Sequence, residues 1–303
     1  MNCVGVDMGG TRIKIGLVNE DALVASTIID SRLDVGFTQN LYRIQVEVES
    51  LIAKAGAGKV EHIGIAFPGL VDTVKSAVID TSGKYEGADK TDLVAWARNE
   101  LDMELRMEND ARLACLGEWR FGAGRDTNDM VFYSLGTGVG SSAIVNSQIM
   151  RGKHYQAGIL GGHFIIDYTE NTAVCSCGNY GCVESLASTW AMKNAAEKDD
   201  LYNESVLKTL QEVDLEAVFN YSEKGDRLAL RLRKQCLDVW GIGIVNLIHA
   251  YDPEVVVVGG GVSRAKDVLI PHFDKMIKAR AWTPWGTPEI RMAEHPDTAA
   301  VLG

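Results

Sequence analysis

Several groups of residues in this chain could do chemistry. Asp7-Met8-Gly9-Gly10-Thr11 sets a carboxylate ahead of two glycines and a hydroxyl. Glycines let backbone N–H groups approach phosphate oxygens closely, and the aspartate can hold Mg²⁺ directly or through water. A plain hairpin turn has the same composition. A second turn, Leu135-Gly136-Thr137-Gly138-Val139-Gly140, shifts that balance, because two strand–glycine–strand turns can clamp a polyphosphate from both sides. Asn109-Asp110 stands at the mouth of a helix. It offers either an ordinary cap or a carboxylate able to accept a hydroxyl proton during phosphoryl transfer. Cys175, Cys177 and Cys182, with His163 upstream, supply three thiolates and one imidazole. That is a full tetrahedral set for structural zinc, with no position left open for substrate; ordinary buried thiols are the alternative. Gly259-Gly260-Gly261 follows a run of four valines and on its own reads equally as a strand-to-helix turn.

These residues need elements to hold them. Apolar positions alternate through Val4 and Val6, then Ile13, Ile15 and Leu17, then Leu23, Val24, Ile28 and Ile29. With turns at Gly9-Gly10-Thr11 and Asn19-Glu20-Asp21, this is the pattern of a β-meander. Helical periodicity covers about 38–55, and a buried strand at His62–Ala66 closes on Pro68-Gly69. Thr91 is positioned as the N-cap of a helix through Leu101, and a short strand near Leu105 leads into Asn109-Asp110 and a helix over Ala111–Arg120. The opening design returns about 130 residues later, with a strand at Met130–Leu135, the second glycine turn, and a strand through Ala143–Val145. An internal duplication with two halves facing a cleft is the simplest account. From Glu184 onward the pattern is mainly helical, apart from Val255–Val258. The repeat places a domain boundary near residue 115, giving domains 1–115 and 116–303, with the last few residues free to return to the first.

Hydrophobic residues make up 46% and charged residues 23% of the 303, as in a folded globular protein. A net charge of −11, without any run of Lys and Arg, argues against nucleic acid as a partner. Asp7 falls where a signal peptide would be apolar, and no stretch reaches the roughly 18 apolar residues of a membrane span. The six cysteines are not spaced as a disulfide framework. The expectation is a cytoplasmic protein.

In order, the chain carries Asp7-x-Gly-Gly-Thr11, Phe67-Pro-Gly-Leu-Val-Asp72, Asn109-Asp110-Ala111 and Leu135-Gly-Thr-Gly138. Gly162-His163, Cys175-x-Cys177-Gly-x-x-Gly-Cys182-x-Glu184 and Val258-Gly-Gly-Gly261 follow. In this order and spacing, over essentially its whole length, it resembles the ROK sugar kinases (repressors, open reading frames and kinases). The resemblance implies an α/β, two-domain actin-like ATPase (ribonuclease H-like) fold. It implies ATP-dependent phosphorylation of a hexose or modified amino hexose, most often at the 6-hydroxyl, with Mg²⁺ for catalysis, structural Zn²⁺ and a homodimer. Asp110 would be the catalytic base, and Gly69, Asn109, His163 and Glu184 would join it in binding sugar. Asp7, Gly9, Gly10, Thr11, Gly136, Thr137 and Gly138 would hold the phosphates, Gly259, Gly260 and Gly261 the adenosine. Zinc, on His163, Cys175, Cys177 and Cys182, would organise the loop that presents the second domain's sugar ligands. Some members carry a DNA-binding helix-turn-helix before the kinase-like core; with the first motif at Asp7, none is expected here. One departure stands out. Relatives read Gly-Glu-x-Gly-His at the sugar loop, where this chain has Ile159-Leu160-Gly161-Gly162-His163, so Leu160 replaces the glutamate. Either the protein binds sugar without turnover or its sugar differs; the survival of Asp7, both turns and Asp110 favours the second.

Overall fold

A computed structural model describes residues 2–20 and 22–303; Met1, and Asp21 of the expected second turn, lie outside them. The chain divides into two compact units, one running to Arg125 with Arg151–Ala157 and Asp297–Gly303, the other Asp126–Met150 with Gly158–Pro296. The boundary expected near residue 115 falls inside a helix that runs on to Phe121. Besides residues 297–303, the loop of residues 151–157 belongs to the first unit, and a repeat in sequence does not reveal that loop.

In the first unit, β1 (Cys3–Met8), β2 (Arg12–Asn19) and β3 (Ala22–Asp30) form the expected meander. Val4, Val6 and Met8 pair across from Leu17, Ile15 and Ile13, all buried, which pins the register because a one-residue slip would turn them to the other face. Helix α1 (Phe37–Ala55) buries Phe37, Leu41, Ile44, Val48 and Leu51, a stripe at three- and four-residue spacing. Strand β4 (His62–Phe67) follows, then a short hairpin of β5 (Leu70–Asp72) and β6 (Ala77–Asp80), too brief to leave an alternation in the sequence. Helix α2 (Leu93–Leu101) is capped by Asp92, whose carboxylate accepts from the Ala95 N–H at 2.9 Å. Thr91, the expected cap, lies one residue too early and donates its hydroxyl to the Gly87 carbonyl instead. Strand β7 (Glu104–Asn109) then leads into α3 (Asp110–Phe121). The sheet order is β3-β2-β1-β4-β7, with β1, β4 and β7 parallel.

The second unit repeats that plan. Strands β8 (Met130–Leu135), β9 (Val139–Val145) and β10 (Gln148–Ile149) are antiparallel. Four helices follow: α4 (Val183–Ala187), α5 (Thr189–Glu197), α6 (Leu215–Glu223) and the long α7 (Arg227–Tyr251), which buries Trp240 completely. Strand β11 (Val255–Gly259), helix α8 (Lys266–Arg280) and strand β12 (Glu289–Met292) complete a sheet ordered β10-β9-β8-β11-β12, with β8, β11 and β12 parallel. The fully buried valines of β11 explain why its run is unbroken rather than alternating. Strand β12 was not expected: four residues, two of them charged, give no periodic signal. The last helical turn, α9 (Ala299–Leu302), packs on α3 and β1 of the first unit. No helix among the described residues is long and apolar enough to cross a membrane.

Candidate active site

In the first unit, three parallel strands end together. Asp7 pairs with Ala66 across β1 and β4, and Phe67 with Asn109 across β4 and β7. The glycine turn, Pro68-Gly69 and Asn109-Asp110 therefore share the carboxyl edge of one sheet, the edge where open α/β sheets bind ligands. All three carbonyls of the turn are engaged from behind. Tyr85 Oη donates to Gly9 O at 2.7 Å, Ser31 Oγ to Gly10 O at 2.7 Å, and the Ser31 N–H to Thr11 O at 2.9 Å. The Gly9 N–H donates to Asp7 O at 3.2 Å, which leaves the amides of Gly10 and Thr11 to meet an incoming anion. Asp7 lies 3.8 Å from Lys14 Nζ. Burial pushes its carboxyl up to about 6, against the pull of Lys14, with the nearby charge of Asp110 adding to the rise. A carboxylate short of solvent beside another carboxylate suits a divalent cation, so Asp7 is the residue here that would hold Mg²⁺.

Asn109 caps α3, its Oδ1 accepting from the Arg112 N–H at 3.2 Å. Its amide nitrogen donates to Gly69 O at 3.1 Å and to Asp110 Oδ1 at 3.0 Å. Asn109 thus ties the Pro68-Gly69 turn to the carboxylate and fixes the rotamer of Asp110, whose Oδ1 also accepts from the Ala111 N–H at 2.8 Å. One carboxylate oxygen, Oδ1, carries both of these bonds, so capping by Asn109 does not itself occupy the second oxygen of Asp110. Burial raises the proton affinity of Asp110, opposed by the charge of Lys84 and by these hydrogen bonds.

Behind Asp110 lies a buried ion pair that the motifs do not include. Arg112, fully buried, donates to Glu108 Oε1 at 3.1 Å and to the carbonyls of Tyr155 and Ala157 at 2.8 and 2.9 Å. Arg151 Nε donates to Glu108 Oε2 at 2.7 Å, and Tyr155 Oη to Asp72 at 2.9 Å. This network is what attaches residues 151–157 to the first unit. Removing one member of a buried pair strands the other, at a cost of about 3–5 kcal/mol. Arg112→Met, which keeps the apolar stem, is expected to lose that much in urea unfolding and to expose residues 151–157 to proteolysis; a change below about 1 kcal/mol would show that Arg151 alone satisfies Glu108.

In the second unit, Gly136 and Gly259 end adjacent parallel strands, since Ser134 pairs with Gly259 across β8 and β11. Gly260 sits at φ 85°, and a side chain there would collide with the Leu135 carbonyl, so only glycine lets the two turns meet. Beside them opens a cavity of about 490 Å³, the size of a small-ligand pocket, lined by Gly136, Thr137, Gly261 and Arg264 and by Phe219 and Asn220 of α6. Phe219 stacks on the buried Trp240 at 6.2 Å, which holds one wall of the cavity rigid. These α6 residues had no signature in the sequence, where the helix reads only as amphipathic.

Glu184, in the first turn of α4, accepts from the Val139 N–H at 2.9 Å with one oxygen and from Ser176 Oγ at 3.3 Å with the other. It joins the second glycine turn to the cysteine loop. Around that loop, donor atoms of His163, Cys175, Cys177 and Cys182 all lie within 4.8 Å of one another. Cys177 and Cys182 sulfurs are 3.7 Å apart, and Cys175 Sγ is 3.5 Å from His163 Nδ1. Tetrahedral zinc with bonds of about 2.3 Å to sulfur and 2.0 Å to nitrogen requires edges of roughly 3.5–3.8 Å. Burial and the neighbouring Cys177 and Cys175 sulfurs push the Cys182 thiol up, so three thiolates gathered here call for a cation. The donor set fits Zn²⁺. Leu160, on the turn entering Gly161–His163, is 40% exposed, so it does not serve as core.

Two sheets of one strand order, each with a glycine turn after its first strand, define a two-domain actin-like ATPase fold. The family model described as "ROK family" matches residues 3–303, and the chain belongs to the ROK family. It is 28% identical to the glucokinase of Thermotoga maritima over 100% of this chain and 96% of that one. It is similar in structure to a ROK family glucokinase from Streptomyces griseus in complex with glucose and AMPPNP, with a TM-score of 0.82, 25% identity, and coverage of 100% and 97% of the two chains. It is also 25% identical to a xylose repressor of Caldicellulosiruptor bescii, spanning 99% of this chain and 76% of the repressor.

Proposed function

We propose that the protein is an ATP-dependent sugar kinase that phosphorylates the 6-hydroxyl of a hexose or modified hexose. The observation that carries this reading is Asp110, a carboxylate of raised proton affinity fixed at the sheet edge that also bears the Asp7–Thr11 turn. The glucose and AMPPNP bound by the Streptomyces griseus relative support the same pair of substrate classes. In this reading Asp110 takes the hydroxyl proton, Gly69 and Asn109 orient the sugar, and the turns at Gly9–Thr11 and Gly136–Gly138 hold phosphates. Gly259–Gly261 and the α6 cavity receive the adenosine. Mg²⁺ on Asp7 would neutralise phosphate charge, and Zn²⁺ on His163 and the three cysteines would stiffen the loop that aims Glu184. A homodimer in the cytoplasm is part of the proposal. Incubating the protein with ATP and glucose, mannose, allose, fructose, N-acetylmannosamine, N-acetylglucosamine or deoxy sugars tests it. ADP release with at least one is expected; sugar binding without ADP release from any would make this a non-catalytic sugar-binding protein.

Leu160 shapes the choice of sugar. A carboxylate at this position would accept hydrogen bonds from ring hydroxyls, whereas leucine leaves each such donor unpaired at about 1–3 kcal/mol unless water intervenes. The favoured substrate is therefore deoxygenated, N-acylated or otherwise apolar on that side, and glucose is used poorly. Leu160→Glu is expected to move kcat/KM toward glucose or mannose and away from the native sugar, by tenfold or more in ratio for about 1.4 kcal/mol. An efficient wild-type glucokinase, little altered by Leu160→Glu, would sink this account of the pocket.

A further inference from the structure

One cation at the first glycine turn belongs to none of the motifs. Lys84 lies in the loop between β6 and α2, half-buried, and its side chain runs along Gly10. From the point where a Cβ on Gly10 would stand, Lys84 Cε is 3.4 Å away and Nζ 3.7 Å. Nearby Lys14 is engaged, with Asp7 at 3.8 Å and the Asp297 carbonyl at 2.7 Å. Lys84 has no ion pair or side-chain hydrogen bond among the described residues. A lysine held half-buried along a turn with no hydrogen-bonding partner keeps its donors open to an anion.

The loop is built to keep it there. Tyr85 is buried against Phe37 and Phe67, with ring centroids at 6.1 and 5.9 Å, and its hydroxyl grips Gly9 O at 2.7 Å. The backbone closes from the Lys84 N–H to Thr81 O at 2.9 Å. Ser82, Gly83 and Tyr85 take φ of 49°, 73° and 52°, a left-handed run in which the tyrosine is a clear outlier. Such strain, of about 1–3 kcal/mol per residue, persists where the surroundings over-determine it and gathers at functional positions. Its consequence here is to press Lys84 against the turn. The ammonium also acts on Asp110, where it is the foremost influence opposing the effect of burial.

We propose that Lys84 is a catalytic residue whose ammonium contacts the γ-phosphoryl group of ATP at the Gly9–Thr11 turn. This rests on the kinase reading above. During transfer the sugar oxygen bonds to the γ-phosphorus, its proton passes to Asp110, and the bond from that phosphorus to the β–γ bridging oxygen breaks, leaving ADP with the electron pair. Charge on the three γ-oxygens must be held throughout, between carboxylates that repel it, Asp7 and Asp110. An ammonium fixed beside the turn holds that charge without reorganising at the moment of reaction. A point charge on a flexible stem also suits a moving phosphate oxygen better than a planar fork would.

The test does not depend on knowing the sugar. The full-length protein is titrated calorimetrically with MgADP and with the Mg²⁺ complex of AMPPNP, which adds a γ-phosphoryl group through an imido bridge. Lys84→Met is expected to weaken AMPPNP by about tenfold or more and ADP by less than about twofold; Lys84→Arg should recover part of the difference. With whichever sugar releases most ADP from wild type, Lys84→Met should lower kcat by on the order of 10²-fold while sugar KM changes little. Should Lys84→Met not fold, Lys84→Gln takes its place. An unchanged ratio of AMPPNP to ADP affinity overturns the proposal, whether both ligands are unaffected or both weaken alike as from a structural role. If no sugar elicits ADP release, the kinase reading falls, and the two titrations still decide whether Lys84 meets a γ-phosphate.

Discussion

Asp110→Asn is expected to lower kcat by on the order of 10²-fold or more and to leave nucleotide affinity almost unchanged. The amide keeps the shape of the carboxylate, and its oxygen can still accept from the Ala111 N–H and from the Asn109 side chain. What it cannot do is take a proton. The same substitution should raise the thermal midpoint at pH 7–8. Burial raises the proton affinity of Asp110 in the fold, so the ionised form is disfavoured there, and its unfavourable contribution sets in as pH rises above the unfolded value of about 4. A neutral isostere removes that contribution, as happens when functional strain is relieved. For catalysis the sign is opposite: the base works only when ionised, so kcat/KM of the wild type should fall on the acid side, through a range above that of an ordinary carboxylate. A variant that keeps most of its kcat, or that melts lower at neutral pH, would place the base elsewhere. Scanning calorimetry and a pH–rate series measure both.

Elemental analysis is expected to find one zinc per chain, and its loss should be the most destabilising single change in the second unit. A structural zinc releases its binding free energy only in the folded state, so that energy is folding energy. The four ligands span residues 163–182, a segment otherwise tied down by isolated bridges, Ile165 to Cys182 and Val174 to Tyr180. Cys177→Ser should lower the melting midpoint by roughly 10 °C, the equivalent of about 3 kcal/mol in a domain of this size. A chelator should do the same to wild type and nothing further to the variant. Sugar affinity should fall with stability, because Glu184 reaches this loop through Ser176 and the second glycine turn through Val139. Protein purified without zinc, yet insensitive to chelator, would leave the cysteines as ordinary buried thiols.

Much of the architecture was legible because it rests on local period and local backbone need. Alternation predicts β1, β2, β8 and β9, and helical periodicity over about 38–55 predicts α1. Repetition of a strand, a glycine turn and a strand predicts two halves of one plan, and the two sheets do have one strand order. The cysteines and His163 could be grouped in advance because thiolates spaced over a few residues have little else to do. In the structure their donor atoms lie within 4.8 Å of one another. Where the signal was a single residue it slipped. Thr91 looked like a cap, but Asp92 alone stands where its side chain reaches the Ala95 amide.

The amino-acid sequence by itself determined which residues can do chemistry and the order in which short strands present them, because those depend on side-chain type and on neighbours along the chain. Only the tertiary structure decided which of them share a sheet edge, which cation lies against Gly10, and that Phe219 and Asn220 wall a cavity beside Gly136. It also decided that Arg112, 43 and 45 places from Tyr155 and Ala157, holds residues 151–157 to the first unit through Glu108 and those two carbonyls. The reason is physical: a buried ion pair, a ring stacked under a pocket and a lysine pressed along a turn are contacts between residues tens of positions apart. Neither period nor spacing encodes such contacts, and they exist only once the apolar faces have packed and excluded water.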